Sequence, residues 1–295
     1  MKSAALTFLL ALFAALSTGC GEPAEASTPV LRFSAIPGEN SSEMIEKFGR
    51  VAEHLAAELG VPVAYAHVSD YGASVEAFKS GDVQLAWFGG LTGVRARRAV
   101  PGAAAIAQGR IDPKYHSYFI ANPASGLRPG QEAFPLDLAG KTFTFGSDSS
   151  TSGRLMPEYF LREATGQSPA EFFGAEMSFS GNHDRTWQLV QDGSFDAGVL
   201  SYVTYDQRVA EGKIDPERCF VVWRTPDYPD YSWHARPDLD ERFGAGFTER
   251  LRATLIAIED PQLLGAMMRT DGLISASNED FDALEGLAEE LELIR

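Results

Sequence analysis

The sequence predicts an α/β protein built as two lobes, each a sheet flanked by helices. Three observations carry this. Strand-like and helix-like segments alternate from Val30 onward. The alternation restarts after a Pro/Gly-rich stretch, Asn122 to Pro135. The C-terminal third is mostly helical and returns the chain to its beginning. Two lobes joined by crossing strands leave a cleft between the carboxyl edges of their sheets.

The elements follow in order. Val30 to Ala35 alternates like a strand and ends at Pro37-Gly38. Met44 to Leu59 is an amphipathic helix with Met44, Phe48, Val51, Leu55 and Leu59 on one face, stopped by Gly60. Val61 to Tyr65 is a strand. Ser69-Asp70 caps a helix over Tyr71 to Phe78. Leu85 to Phe88 is a buried strand, and Gly89-Gly90 opens a turn. Ala103 to Ala107 and Tyr115 to Ala121 are further strands, and this βαβα order implies a parallel sheet. After the linker come a strand at Phe143 to Phe145, helices around Arg154 to Leu161 and Thr186 to Val190, and strands at Asp196 to Leu200 and Cys219 to Trp223. Three helices follow: Phe247 to Ile258, Pro261 to Met268 and Asp280 to Leu293.

The first segment sets the compartment. Lys2 precedes an apolar run, Ala4 to Leu16, then Ser17-Thr18-Gly19-Cys20. This is the pattern of a secretory leader, too short to span a bilayer with ease. The Gly-Cys ending resembles a bacterial lipoprotein cleavage site, although Ser17 occupies the slot where a leucine is usual. On this reading residues 1–19 are removed, Cys20 is acylated, and residues 20–29 form a tether. A plain secretory leader with an incidental cysteine is the alternative. The remaining cysteine, Cys219, sits in a strand-like run and reads as a buried small hydrophobe.

The net charge of −16 argues against nucleic acid and anionic membrane surfaces as partners. It also repels an anion at long range, so any anion must be held by short-range donors. His54, His67, His116, His183 and His234 are scattered without metal-ligand spacing, and neither metal nor cofactor is expected. No G-x-S-x-G elbow is present, and an enzyme is not expected.

The most informative stretch runs from Phe143 to Leu155. A strand feeds a helix through Gly146-Ser147-Asp148-Ser149-Ser150-Thr151-Ser152-Gly153. The first turn of a helix offers unpaired N–H groups and a partial positive charge, which makes such a turn a natural anion cradle. An ordinary Ser/Thr helix cap is the plainer reading.

Five ordered motifs carry a family resemblance. They are Val68-Ser69-Asp70-Tyr71 before a helix, Gly81 to Gly89 around Ala86-Trp87-Phe88, Ser149 to Gly153 with Pro157, Ser180-Gly181-Asn182-His183, and Gly193 to Gly198. Together they resemble the phosphonate-type oxyanion-binding branch of substrate-binding lipoproteins of ABC importers, from Leu31 to about Ile294. Trp223 to Pro226 and Tyr231 to Leu239 resemble a subgroup labelled selenate-binding.

The resemblance implies a two-lobed periplasmic binding fold of type II, with mixed sheets and a hinge. Lobe 1 would comprise residues 30–118 with 226–295, and lobe 2 residues 119–225. It implies a small tetrahedral oxyanion between the lobes, held by Ser150, Thr151 and Ser152 with Ser149 at the head of the run. Tyr71 would be a lobe 1 donor and His183 a lobe 2 contact. Phe88 falls where aminophosphonate-binding relatives can carry tyrosine, and Tyr202 falls in their acidic slot, which argues against a ligand ammonium. The implied partners are a permease and an ATPase, with the protein a lipid-anchored monomer at the periplasmic face. A second reading keeps the fold but presents the oxyanion to a membrane kinase. Trp87, Phe88, Tyr228, Tyr231 and Trp233 could wall the site and exclude water; core packing is the alternative, and the stronger one for Trp87 and Phe88.

Overall fold

The computed structural model describes residues 29–38 and 41–294. The leader, Cys20 and most of the tether lie outside them. The chain begins β1 (Leu31–Ala35), α1 (Ser41–Leu59), β2 (Val63–Tyr65), α2 (Tyr71–Ser80), β3 (Leu85–Phe88), α3 (Gly90–Ala99) and β4 (Ala104–Gly109). It then crosses into β5 (Ser117–Ala121), β6 (Phe143–Phe145), α4 (Met156–Thr165), α5 (Pro169–Phe173), β7 (Ser178–Phe179), α6 (His183–Gln191), β8 (Ala197–Ser201), α7 (Tyr202–Ala210) and β9 (Phe220–Arg224). It returns through β10 (Ser232–Ala235), α8 (Leu239–Phe243), α9 (Phe247–Ile256), α10 (Pro261–Ala266), β11 (Leu273–Ser275) and α11 (Asp282–Glu290).

Among the described residues the strands form two sheets, ordered β11-β4-β10-β3-β1-β2 and β7-β6-β8-β5-β9. Both are mixed. β2, β1 and β3 are parallel, while β10 inserts antiparallel between β3 and β4. β6 pairs parallel with β7 and β8, and β5 lies antiparallel to β8 and β9. The mixed sheets expected of the fold are present: the βαβα order gives the parallel part, and β10 adds an antiparallel strand because the chain leaves the first sheet after β4 and re-enters it head-on. Trp233, read as part of a loop wall, is instead central in β10 with 0 % exposure, packed on Phe33 and Trp87.

Local chemistry explains the elements that frame the cleft. On α1 the buried residues Met44, Phe48, Val51 and Leu55 recur at helical spacing, and Gly60 ends the helix at φ +68°. Burying each such side chain contributes about 1.5–3 kcal/mol. Asp70 caps α2 by accepting from the Ala73 N–H at 2.8 Å, and Gly81 closes it at φ +84°. α3, which the sequence reading missed, starts directly after β3 at Gly90. Two crossing segments link the sheets and pair with each other: Tyr115 N–H donates to Tyr228 O at 2.8 Å, Tyr228 N–H to Tyr115 O at 2.9 Å, and Asp230 N–H to Asp112 O at 3.1 Å.

Candidate functional site

The anion-loop candidate begins with an unusual turn. Residues Thr151–Leu155 are π-helical and run into α4, with Leu155 N–H closing onto Ser150 O at 3.0 Å. Ser150 caps the turn, its Oγ accepting from Gly153 N–H at 2.9 Å. The N–H groups of Thr151 and Ser152 therefore have no intrahelical acceptor. Two glycines make the turn possible. Gly146 N–H donates to Gly153 O at 2.8 Å, and a Cβ on Gly153 would lie 3.0 Å from Gly146 Cα.

The four consecutive hydroxyls do four different things. Ser149 Oγ receives Arg95 Nη1 at 2.5 Å, and Arg95 also donates to Leu293 O at 2.9 Å. Ser149 is thus held in a contact between the lobes. Ser150 is the cap. Thr151 Oγ1 accepts from Leu91 N–H of α3 at 3.0 Å. Ser152 Oγ is buried and has no partner among the described protein groups.

Tyr71 and His183 join this run from the two sides. Tyr71 is the first residue of α2, buried, with an unpartnered hydroxyl whose neighbours are the Ser150 and Tyr231 hydroxyls. His183 is the first residue of α6, after the Asn182 cap. Ser180 and Gly181 tie this turn to the anion loop through their N–H groups, which reach Phe145 O at 3.0 Å and Gly146 O at 3.1 Å. A Cβ at Gly38 would lie 3.8 Å from both Tyr71 Oη and His183 Cδ2, so the three share one wall. His183 Nδ1 accepts from Ser201 N–H at 3.4 Å, which leaves the ring proton on Nε2, 3.3 Å from Tyr231 Oη. Burial pushes His183 down to about 4, so the ring is neutral at physiological pH.

Tyr71, Ser150, Thr151, Ser152 and His183 are brought together; Phe88 and Tyr202 are not. Phe88 has 0 % exposure and packs edge-on against Phe78 and His234. It points from β3 to the side opposite Trp87, which lines the cleft. Tyr202 stacks on His116 with ring centroids 3.8 Å apart and abuts Tyr115, outside the donor cluster. Of the other expected walls, Trp87 and Tyr231 stack at 5.7 Å and line a cavity of about 40 Å³, together with Phe48, Tyr115, His183 and Arg269. Tyr228 turns its hydroxyl to Ser117 within the crossing segments.

Asp230 is the residue that sequence reasoning missed. It lies in the second crossing segment, in an aromatic-rich run that reads as loop. Its Oδ1 accepts from Gly90 N–H at 2.9 Å, and Oδ2 is buried and unpartnered. Burial pushes its carboxyl up to about 7, against the pull of the Gly90 N–H and the Thr151 hydroxyl. Its proximity to Thr151 arises only because the chain crosses back between the sheets, and no local pattern announces it.

The arrangement suits an anion. α2, α3, α6 and the π-helical turn before α4 all start at this place, each after the carboxyl end of a strand or its following turn. Their positive ends supply the field that a lysine would otherwise provide. Tyr71 Oη, Ser152 Oγ and Asp230 Oδ2 are buried polar atoms without protein partners, on the elements that meet at this place, and such groups are costly unless a ligand satisfies them.

Comparison with known proteins agrees. The family model described as "ABC transporter, phosphonate, periplasmic substrate-binding protein" matches residues 33–281. A protein of Prochlorococcus marinus (strain MIT 9301), named "Probable ABC transporter phosphite binding protein PhnD1", is 36% identical over 296 residues, covering 98% of this chain and 99% of its own. Its crystal structure in complex with methylphosphonate superposes with a TM-score of 0.85, covering 90% of this chain and 99% of that one. The "Phosphate-import protein PhnD" of Mycolicibacterium smegmatis (strain ATCC 700084 / mc(2)155) is 30% identical over 237 residues, 76% of this chain and 73% of its own. These relatives are transport components rather than enzymes, and the two-sheet architecture is that of type II periplasmic binding proteins. The chain belongs to the phosphonate-binding family of periplasmic substrate-binding proteins of ABC transporters.

Proposed function

We propose that the protein captures one protonated phosphorus oxyanion (phosphite, methylphosphonate or phosphate) between its lobes and hands it to a membrane permease. The observation that carries this is Asp230, a buried carboxyl with one free oxygen set among neutral donors. A carboxylate beside an anion is tolerable only with a proton between them. Phosphorus oxyanions retain a second proton up to near neutral pH and bring it with them. Sulfate and selenate have none to bring, so Asp230 must itself stay protonated to admit them. This weighs against the selenate-type ligand that the subgroup resemblance suggests. The names of the relatives, which mention phosphite, methylphosphonate and phosphate, support the phosphorus class.

The donor set divides between lobes: Tyr71 on one side, Ser150, Thr151, Ser152 and His183 on the other. Ligand capture with closure about the two crossing segments follows from that division. Delivery to a permease is favoured over presentation to a kinase, because the matched relatives serve transport. Acylation of Cys20 would hold the protein at the membrane; Cys20→Ser should release it into the soluble periplasmic fraction, and continued membrane retention would refute the anchor.

Calorimetry at pH 8 separates the readings. Phosphite, methylphosphonate or phosphate should bind through the minor fraction that still carries the second proton, with sulfate and selenate far weaker. Heat from selenate equal to that from phosphite would remove Asp230 as the selector, and no heat from any of the five would end the anion reading.

A further inference from the structure

Arg269 is buried, at 2 % exposure, yet the donor cluster does not use it directly. It leaves α10 just after Met268, which sits at φ +54°. Its Nε and Nη2 form a fork on Asp112 of the first crossing segment, at 2.9 Å and 2.7 Å to Oδ1, with Nε also 2.8 Å from Oδ2. Nη1 is held by Met267 O at 2.9 Å and Met268 O at 3.1 Å. Asp112 is itself fixed by Gly109 N–H at 2.7 Å. The guanidinium is therefore fastened along its edge, and its flat face is left for rings.

Three rings occupy that space. The Arg269 Cζ lies 4.7 Å from the Tyr231 centroid, 5.2 Å from that of Tyr115 and 5.5 Å from that of Trp87. Both tyrosines end at the same corner of the opposite lobe. Tyr231 Oη meets His183 Nε2 at 3.3 Å. Tyr115 Oη bonds Ser201 Oγ, and Ser201 N–H is the group that sets the His183 tautomer. One cation in the first lobe thus backs two phenol rings whose hydroxyls frame the ligand-facing histidine of the second.

We propose that Arg269 is a positioning and polarising residue for the anion site, acting through Tyr231 rather than by touching the ligand. Held by Asp112, it fixes the Tyr231 ring at the cleft floor. Its charge draws electron density from that ring and makes the hydroxyl a stronger donor to an oxyanion. Lysine cannot replace it, because a compact ammonium has neither the fork for Asp112 nor the plane for stacking. The inference rests on the phosphorus-oxyanion reading above.

A double-mutant cycle tests it, with methylphosphonate as the probe and calorimetric Kd as the readout. The unmodified protein must bind first; if it does not, the ligand reading fails and not this one. Arg269→Lys should then weaken binding about 10- to 30-fold, the scale of one largely desolvated cation–π contact. In a Tyr231→Phe background the same change should cost less than about twofold, because the group it acts through is gone. Equal losses in both backgrounds would mean a direct or purely structural role, and unchanged affinity in Arg269→Lys would also overturn the proposal. Should the lysine variant not fold, the unmodified protein still decides: the Arg269 Nε–H resonance should shift on saturation with methylphosphonate, as Tyr231 changes partner. An unmoved resonance would refute the coupling.

Discussion

The N–H of Leu91, in the first turn of α3, donates to Thr151 Oγ1 across the cleft at 3.0 Å. One hydroxyl therefore belongs to the anion loop of one lobe and to the helix N-terminus of the other. Beside it, Gly90 N–H is taken by Asp230. On the function proposed above, closure and ligand binding would share these atoms.

Thr151→Val removes that acceptor and a ligand donor while keeping the side-chain shape. Affinity for methylphosphonate should fall about 10- to 100-fold, as for loss of one hydrogen bond to a charged group. Small-angle scattering should also show a less compact liganded form. Full affinity in this variant would return Thr151 to a capping role.

On the other flank, Glu43 of α1 reaches Lys213 at 3.3 Å and Arg208 at 3.8 Å, both contributed by the second lobe. Arg208 in turn holds Asp184, next to His183, at 2.8 Å. Glu43 is partly exposed, so the gain is modest. Glu43→Gln should speed ligand release about two- to fivefold, and raising salt should shrink the difference. Stopped-flow dissociation at two ionic strengths measures both.

Asp230 should govern the pH response. Its folded-state carboxyl is raised from the ordinary carboxylate range to about 7. The folded protein thus holds this proton more tightly than the unfolded chain does. The associated stability is full below the ordinary carboxylate pKa and is lost as pH rises through 7. Burial pushes His116 and His183 down to about 4 and His234 to about 3, so these three are neutral across that window. The melting temperature of the ligand-free protein should decline from about pH 5 to about pH 8, and Asp230→Asn should flatten the decline. The asparagine variant should also bind sulfate at pH 8, since its amide donates without titrating. An identical pH slope in both proteins would exclude Asp230 as its source.

Gly93 tests the packing behind the site. A Cβ there would come within 2.5 Å of His234 Nε2, which bonds Ser232 Oγ at 2.8 Å in the middle of the first sheet. Gly93→Ala should cost about 1–3 kcal/mol in urea unfolding, the usual scale of overpacking. A cost near zero would show that α3 shifts freely.

The sequence displayed those parts of the fold that repeat locally. α1 declared itself through Met44, Phe48, Val51 and Leu55, and the anion loop through its run of hydroxyls between glycines. α3 was hidden because Gly90, Gly93 and three arginines dilute its apolar face, although Leu91 and Val94 are fully buried. β10 was hidden because Asp230, Ser232 and His234 look like loop chemistry, yet Ser232 and His234 are central in a sheet with 0 % exposure. Tyr71 was legible as a helix start after a cap, and His183 as the end of a turn motif. Asp230 and Arg269 were not, because each acquires its surroundings from segments remote in the chain: Gly90 and Thr151 for Asp230, Asp112 and Tyr231 for Arg269.

The site's donors and helix termini are shared between two lobes, and that sharing has a consequence for release. An anion gripped by a lysine keeps most of its attraction when the protein loosens, because a full charge travels with the side chain. In the binding proposed above the attraction would instead be a sum of partial charges from backbone ends that both lobes contribute. On that reading a permease that pries the lobes apart would not have to compete for the ligand: separation would divide the site into halves, each short of the donors that dehydration of the anion demands.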